Sequence, residues 1–364
     1  MDGADVAETL GDQPLEAKPL SGPGPVSMPR ELDPRRLLRR TLQVVIALGV
    51  IVLIVILAPG LGEVRQKLEG ADPGWIALAI AFEALSCVSY VVMFKPIFCR
   101  HMPWRTSWEI GWSELAMGSI VPASGAGGLA LGAWILHEGG MPADRIARRS
   151  VAFFLLKSAA NFAAVAVLGT LLAVGVVGPH QSLLLTALPA TGAALAVALV
   201  LCVPKLQIGS GPAAGARRAR RLLSSSRQAL IEGTGEALQI LRSADRQVLL
   251  GSIGYWAWDN AVLWATFRAF GSSPAISIIL MGYLIGQLGG LLPLPGGLGG
   301  IDGGLFATLI LYGTPVATTA AAVLAYRVIL FWVPLIVGGI AFGSLRRGLN
   351  DPNRPELCAV PAAI

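Results

Sequence analysis

"LLPLPGGLGGIDGG", residues 291–304, lies within one of the most apolar parts of the chain, yet it holds Pro293, Pro295, six glycines and Asp302. Proline removes a backbone donor, and each glycine costs a helix interior about 1 kcal/mol relative to alanine. No continuous membrane helix runs through such a stretch. Irregular backbone at membrane depth is tolerated only where it is buried in protein or lines a wet cavity. The break therefore has to face something polar, and the chain around it has to fold back.

The surroundings are those of a membrane protein. The 364 residues have a mean hydropathy of +0.66, 54% hydrophobic and 14% charged residues. A bilayer core of about 30 Å takes roughly 20 helical residues to cross. Segments 41–58, 75–94, 150–177, 182–203, 248–270 and 316–342 meet or approach that length. The expected fold is all-α: a polytopic helical bundle of about six full spans, with two broken or re-entrant hairpins in an inverted repeat. Residues 1–29 read as a disordered cytoplasmic tail, 30–345 as the transmembrane domain and 346–364 as a second tail. The late start of the first apolar run, at Thr41, does not fit a secretory signal.

Arginine placement predicts the orientation. Arg30, Arg35, Arg36, Arg39 and Arg40 put the N-terminus inside. Lys95, Arg100 and Arg105 precede segment 107–136, and Arg145, Arg148 and Arg149 follow it, so that segment enters and leaves on the inner face. The basic connection 204–247 and the closing Arg346 and Arg347 are also inside. Segment 275–312 must then start and finish outside. Arms 129–136 and 304–312 are expected to be too short to span. The protein is expected in the cell membrane with both termini cytoplasmic.

The two hairpins resemble one another. Residues 121–157 and 292–327 set Pro122 against Pro293 and Pro142 against Pro315, each with a glycine-rich break, a short apolar arm and a cation, Lys157 or Arg327. Repeat 1 runs over about 75–177 and repeat 2 over about 248–342. Inverted repeats with broken helices near the midplane are common among transporters.

Ionisable groups inside a bilayer cost upward of about 2.5 kcal/mol each, so they mark candidate sites. Here they are Glu83, Glu114, Lys157, Asp259, Asp302 and Arg327. Lys157 and Arg327, with Gly125, Gly127, Gly296, Gly297 and Gly299, can form a cationic, donor-rich pocket for a phosphate group. Asp302 belongs to the same candidate site. Pro122, Pro293, Pro295, Glu83, Glu114 and Asp259 are candidate structural or gating residues. A simpler reading pairs Lys157 with Glu83 or Glu114, and Arg327 with Asp259 or Asp302, to neutralise charge. Small-xxx-small packing accounts for some glycines but not for the prolines.

Other chemistry finds little support. Cys87, Cys99, Cys202 and Cys358 form no CxxC pair, and His101, His137 and His180 are isolated, so no metal or cofactor is expected. "GAGGLA" (125–130) follows no strand, which argues against a dinucleotide site. Ser124 has no mid-span histidine to serve as a base. Within 204–247, Leu223, Leu230, Ile231, Leu238 and Leu241 recur at helical spacing. That segment reads either as a helix on the inner leaflet or as a solvated basic loop, with no need for nucleic acid.

"LLPLPGGLGGIDGGL" (291–305), "AYRVILFWVPLIVGG" (325–339) and "VPASGAGGLALGAWIL" (121–136) resemble the lysylphosphatidylglycerol synthase transmembrane-region family, a flippase-like membrane domain. The resemblance covers roughly 41–345. It matches Arg327 to the arginine of the family's R-x-x-x-F-W-x-P run, and Pro293, Gly296, Gly297 and Gly299 to its glycine-rich turn. Asp302 stands where relatives usually carry glutamate, and Lys157 where they often carry arginine. The resemblance implies a unit that binds or translocates lipid, without the soluble synthase domain. The expectation is a non-enzymatic protein that moves an anionic phospholipid or a lipid-linked sugar between leaflets. Two alternatives remain: a non-transporting membrane partner of a lipid-modifying enzyme such as a glycosyltransferase, and a transferase using Asp259 or Asp302 as base.

Overall fold

The computed structural model describes residues 38–39, 41–46, 49–50, 53, 61–120, 126–177, 182–203, 218–272, 274–287 and 300–349. Among them it is all-helical, with no strand. Helix α1 is Gly62–Glu69, α2 Pro73–Phe98, α3 Trp104–Ile120, α4 Ala126–Glu138, α5 Ala143–Ala173, α6 Leu183–Cys202, α7 Arg218–Arg242, α8 Arg246–Ala269, α9 Ile276–Gln287, α10 Gly300–Leu311 and α11 Val316–Leu349. Among the described residues, four helices are long and apolar enough to cross a membrane: α2, α5, α6 and α11. Helix α8 has 24 residues, roughly 36 Å at the standard rise, but it carries Asp259 and Asn260 within that length. Of segment 41–58 only a part is described. Residues 41–46 are helical, and Val44 packs on Phe331 of α11.

The centre of the molecule is an antiparallel crossing of α2 and α8. The Asp72 N–H donates to the Ala269 carbonyl at 2.9 Å. Trp75 meets Trp264, Phe82 stacks on Trp258, and Ser86 Oγ donates to the Tyr255 carbonyl at 3.1 Å. At the far end Arg100 pairs with Asp245, which also caps α8 by accepting from the N–H groups of Gln247 and Val248. Gly251 lets the backbones approach: a Cβ there would lie 2.6 Å from Met93 Cβ. In lipid such packing matters more than apolar burial, because the tails are as apolar as leucine.

Six of the remaining helices fall around this crossing in two equivalent sets. Helix α3 packs on α2 and α4, and α9 packs on α8 and α10. Helix α5 touches α2, α4, α8 and α9, while α11 touches α8, α10, α2 and α3. Exchanging α2, α3, α4 and α5 for α8, α9, α10 and α11 reproduces every one of these contacts. Because α2 and α8 run in opposite directions, the two sets are inverted copies.

The hairpins dip from opposite ends. Helices α3 and α4 start and finish at the arginine-rich end, where Ser344 of α11 donates to Glu109 and Arg149 of α5 donates to the Ile97 carbonyl. Helix α9 follows the other end of α8. Helix α10 returns there too, with the Tyr312 hydroxyl just beyond it donating to the Leu185 carbonyl at the start of α6. The arms are longer than the sequence reading expected: α4 has 13 residues and α10 has 12, against 129–136 and 304–312. The helices absorb glycines because a neighbour needs the space; a Cβ on Gly128 would overlap the Glu114 carbonyl. At roughly 20 and 18 Å they still do not span. Helix α1 lies between segments 41–58 and 75–94, and α7 makes residues 218–242 of the basic connection helical, one of the two readings its sequence allowed.

Candidate functional site

Each repeat carries one polar cluster, and each cluster is built on a phenol–carboxylate hydrogen bond. In repeat 1 the Tyr90 hydroxyl on α2 donates to Glu114 Oε2 on α3 at 2.7 Å. In repeat 2 the Tyr283 hydroxyl on α9 donates to Asp259 Oδ2 on α8 at 2.5 Å. Both pairs are separated by 24 residues, and adding 169 to 90 and 114 gives 259 and 283. The spacing is the same, but acid and phenol have changed order along the chain. In each half the bond ties the first arm of a hairpin to the central crossing.

The Glu114 carboxylate is buried where α4 crosses α3. A Cβ on Gly132 would overlap Oε1, so only glycine fits beside it. Lys157 of α5 lies within electrostatic reach of Glu114. Its ammonium stands 5.9 Å from the ring centres of Tyr90 and Phe154, and 5.7 Å from that of Tyr255. Three aromatic faces and one carboxyl group thus compensate a cation held deep in the span.

The second cluster joins five helices. Asp259 accepts from Tyr283 and also from the Tyr326 hydroxyl of α11, at 2.8 Å on Oδ1. Glu83 of α2 faces Asp259 across the central crossing and accepts from the Cys87 thiol at 3.4 Å. Arg327, next to Tyr326, pairs with Asp302 of α10 at 3.4 Å, and both side chains are 17% exposed.

Of the alternatives open in the sequence, Arg327 forms an ion pair with Asp302 and also lies within electrostatic reach of Asp259, while Lys157 lies within reach of Glu114. The contacts of the two cations lie in different clusters, and their positions are not equivalent. Lys157 is the fifteenth residue of α5, which starts at Ala143, whereas Arg327 is the twelfth of α11, which starts at Val316. Gly127 is buried in the first turn of α4. Pro122, Gly125, Pro293, Pro295, Gly296, Gly297 and Gly299 lie outside the described residues. Helices α4 and α10 begin right after those glycine-rich segments, so their free first-turn N–H groups lie next to the two breaks. Tyr90, Tyr255, Tyr283 and Tyr326 are the polar partners that reading charges alone misses. For Tyr90 and Tyr283 the signal in the sequence is a tyrosine within an apolar span, 24 positions from a buried acid.

Comparison with known proteins agrees with this architecture. The family described as "Lysylphosphatidylglycerol synthase TM region" matches residues 42–338. A UPF0104 membrane protein of Methanothermobacter thermautotrophicus is 25% identical over 331 residues, which is 83% of this chain and 95% of that protein. A second match, to a protein of the same description and organism, is 28% identical over 102 residues, 28% of this chain and 30% of that protein.

Proposed function

From the premise that the chain belongs to the lysylphosphatidylglycerol synthase TM-region family, we propose that it binds the phosphate-bearing headgroup of an anionic lipid or a lipid-linked sugar and carries it between leaflets. It acts as a carrier and not as an enzyme. The arginine-rich end faces the cytoplasm, as the positive-inside rule requires. One observation carries the reading: each oppositely dipping hairpin is pinned to the central crossing by a single buried phenol–carboxylate bond beside a buried cation. Two such half-sites suit a ligand handed from one face to the other.

The residues take distinct roles. Arg327 offers a fork to phosphate oxygens once Asp302 yields, and Lys157 offers a point charge. The first-turn N–H groups of α4 and α10 add neutral donors beside the glycine-rich breaks. Tyr90–Glu114 and Tyr283–Asp259 act as latches whose release lets one hairpin swing while the other stays closed. An open cleft at the arginine-rich end, lined by Arg105, Thr106, Glu109, Ser344, Arg347 and Gly348, is where a headgroup would arrive.

Purified protein in liposomes tests this. Fluorescent phosphatidylglycerol and a labelled polyprenyl-phosphate sugar should redistribute between leaflets in the presence of the wild type. Arg327→Ala should abolish headgroup binding and redistribution while the protein stays folded in the membrane. Arg327→Lys should restore part of both. Wild-type transport by Arg327→Ala removes the proposal. A folded wild type that moves neither lipid favours a non-transporting partner of a lipid-modifying enzyme, such as a glycosyltransferase.

A further inference from the structure

Helix α7 packs on α5 with one side, and part of that side stays exposed. Its inner face packs on the N-terminal half of α5 through small residues. A Cβ on Gly233 would lie 2.6 Å from Val151 Cβ and 2.7 Å from the Arg148 carbonyl, and Thr234 and Ala237 are buried on the same side. Both of the helix's acids are engaged from α5. Arg148 reaches Glu232 at 2.9 Å and Glu236 at 3.6 Å, and Arg149 reaches Glu236 at 3.0 Å.

On this same side, beyond either end of the contact in sequence, an apolar flank stays exposed. Leu230 is 53% and Leu241 45% exposed. Eleven residues at about 100° each place them within roughly 20° of one another. Arg227 and Leu238 border that line, and Gln239 lies on the far side. Among the helix's described side chains, the charges of Arg227 and Arg242 remain once the two acids are taken by α5.

We propose that this flank is a docking face for the anionic lipid leaflet at the arginine-rich end. The leucines enter the acyl boundary and the arginines lie among the headgroups. The charge matches a negative lipid surface, where each basic residue contributes about 1 kcal/mol. Because Arg148 and Arg149 clamp α7 to α5, the helix that carries Lys157 is anchored to that leaflet. The idea stands apart from lipid transport, and its test involves none.

The test uses full-length protein with its native cysteines replaced and single cysteines spin-labelled at 230, 241 or 239. It is reconstituted in vesicles of phosphatidylcholine, with or without an equal part of phosphatidylglycerol. Collisions with oxygen report hydrocarbon, and collisions with a nickel chelate report water. Labels at 230 and 241 should prefer oxygen in phosphatidylglycerol vesicles, while the label at 239 prefers the chelate. Removing phosphatidylglycerol, or introducing Arg227→Gln with Arg242→Gln, should cost the first two labels that preference. The proposal is overturned by water-exposed labels at 230 and 241 in both vesicles, which would mark the flank as solvated or kept for a protein. Hydrocarbon contact indifferent to phosphatidylglycerol and to the arginine changes overturns it as well.

Discussion

Glu114 has no spare room. Its carboxylate takes the Tyr90 hydroxyl on one side and rests on the bare Cα of Gly132 on the other. Gly132→Ala should therefore lower stability by about 1–3 kcal/mol, the usual cost of overpacking a filled site. Gly192→Ala makes the control: nothing lies within 4 Å of where its Cβ would go, and alanine favours helix by about 1 kcal/mol. Thermal unfolding of the detergent-solubilised variants should move in opposite directions. Tyr283→Phe removes one of the two phenols bonded to Asp259, and should cost about 1–2 kcal/mol in the same assay. The buried charges behind these effects are legible in the sequence, because an ionisable residue in an apolar span is an anomaly. The tyrosines are not, because a phenol in such a span passes for a hydrophobe until its partner is seen. Aligning the halves on their prolines also makes Lys157 and Arg327 look equivalent. Counted from the helix starts they lie three residues, almost one turn, apart.

At the scale of elements, glycine marks where helices meet. Gly251→Leu would drive a side chain into Met93 and Ser89 and force α2 from α8. Since this contact organises both repeats, the variant should fail to yield monodisperse protein on size-exclusion chromatography. The joint between α7 and α5 is electrostatic and responds to acid. Gln228 and Arg148 donate to Glu232 and hold its carboxyl below the usual carboxylate range. A group whose value is depressed on folding contributes stability above its free value of about 4.3, and that contribution fades as pH falls through the folded value. Asp144 and Glu236 also face Arg148. A spin label at 239 should thus stay immobile from neutral pH down to about 5 and gain mobility below about 4. The amphipathic pattern of α7 is plain in its leucine spacing. Which side meets α5 is not, since that side is written in Gly233, Thr234 and Ala237, and small residues carry no hydrophobic signal.

For the whole molecule, the sequence already specifies two hairpins dipping from opposite faces, because arginine clusters bracket the first and are absent around the second. Labelling in sealed vesicles should reproduce this. In a cysteine-replaced background, single cysteines at 105 and 347 should react with an impermeant thiol reagent from one side of the membrane. A cysteine at 67, whose lysine donates to the Phe270 carbonyl, should react from the other. All three reacting from the same side would contradict the antiparallel crossing.

The crossing has one more consequence. A core built from two upended copies of one motif looks nearly alike when turned over, so those eight helices hold no memory of which way they entered the bilayer. What tells top from bottom is a thin scatter of guanidinium groups, Arg100, Arg105, Arg148, Arg149 and Arg347 among them. During synthesis, then, the insertion machinery reads an address that the finished architecture could not supply. Erase those few charges and the same polypeptide should settle in either sense, as a mixed population of mirror-set molecules.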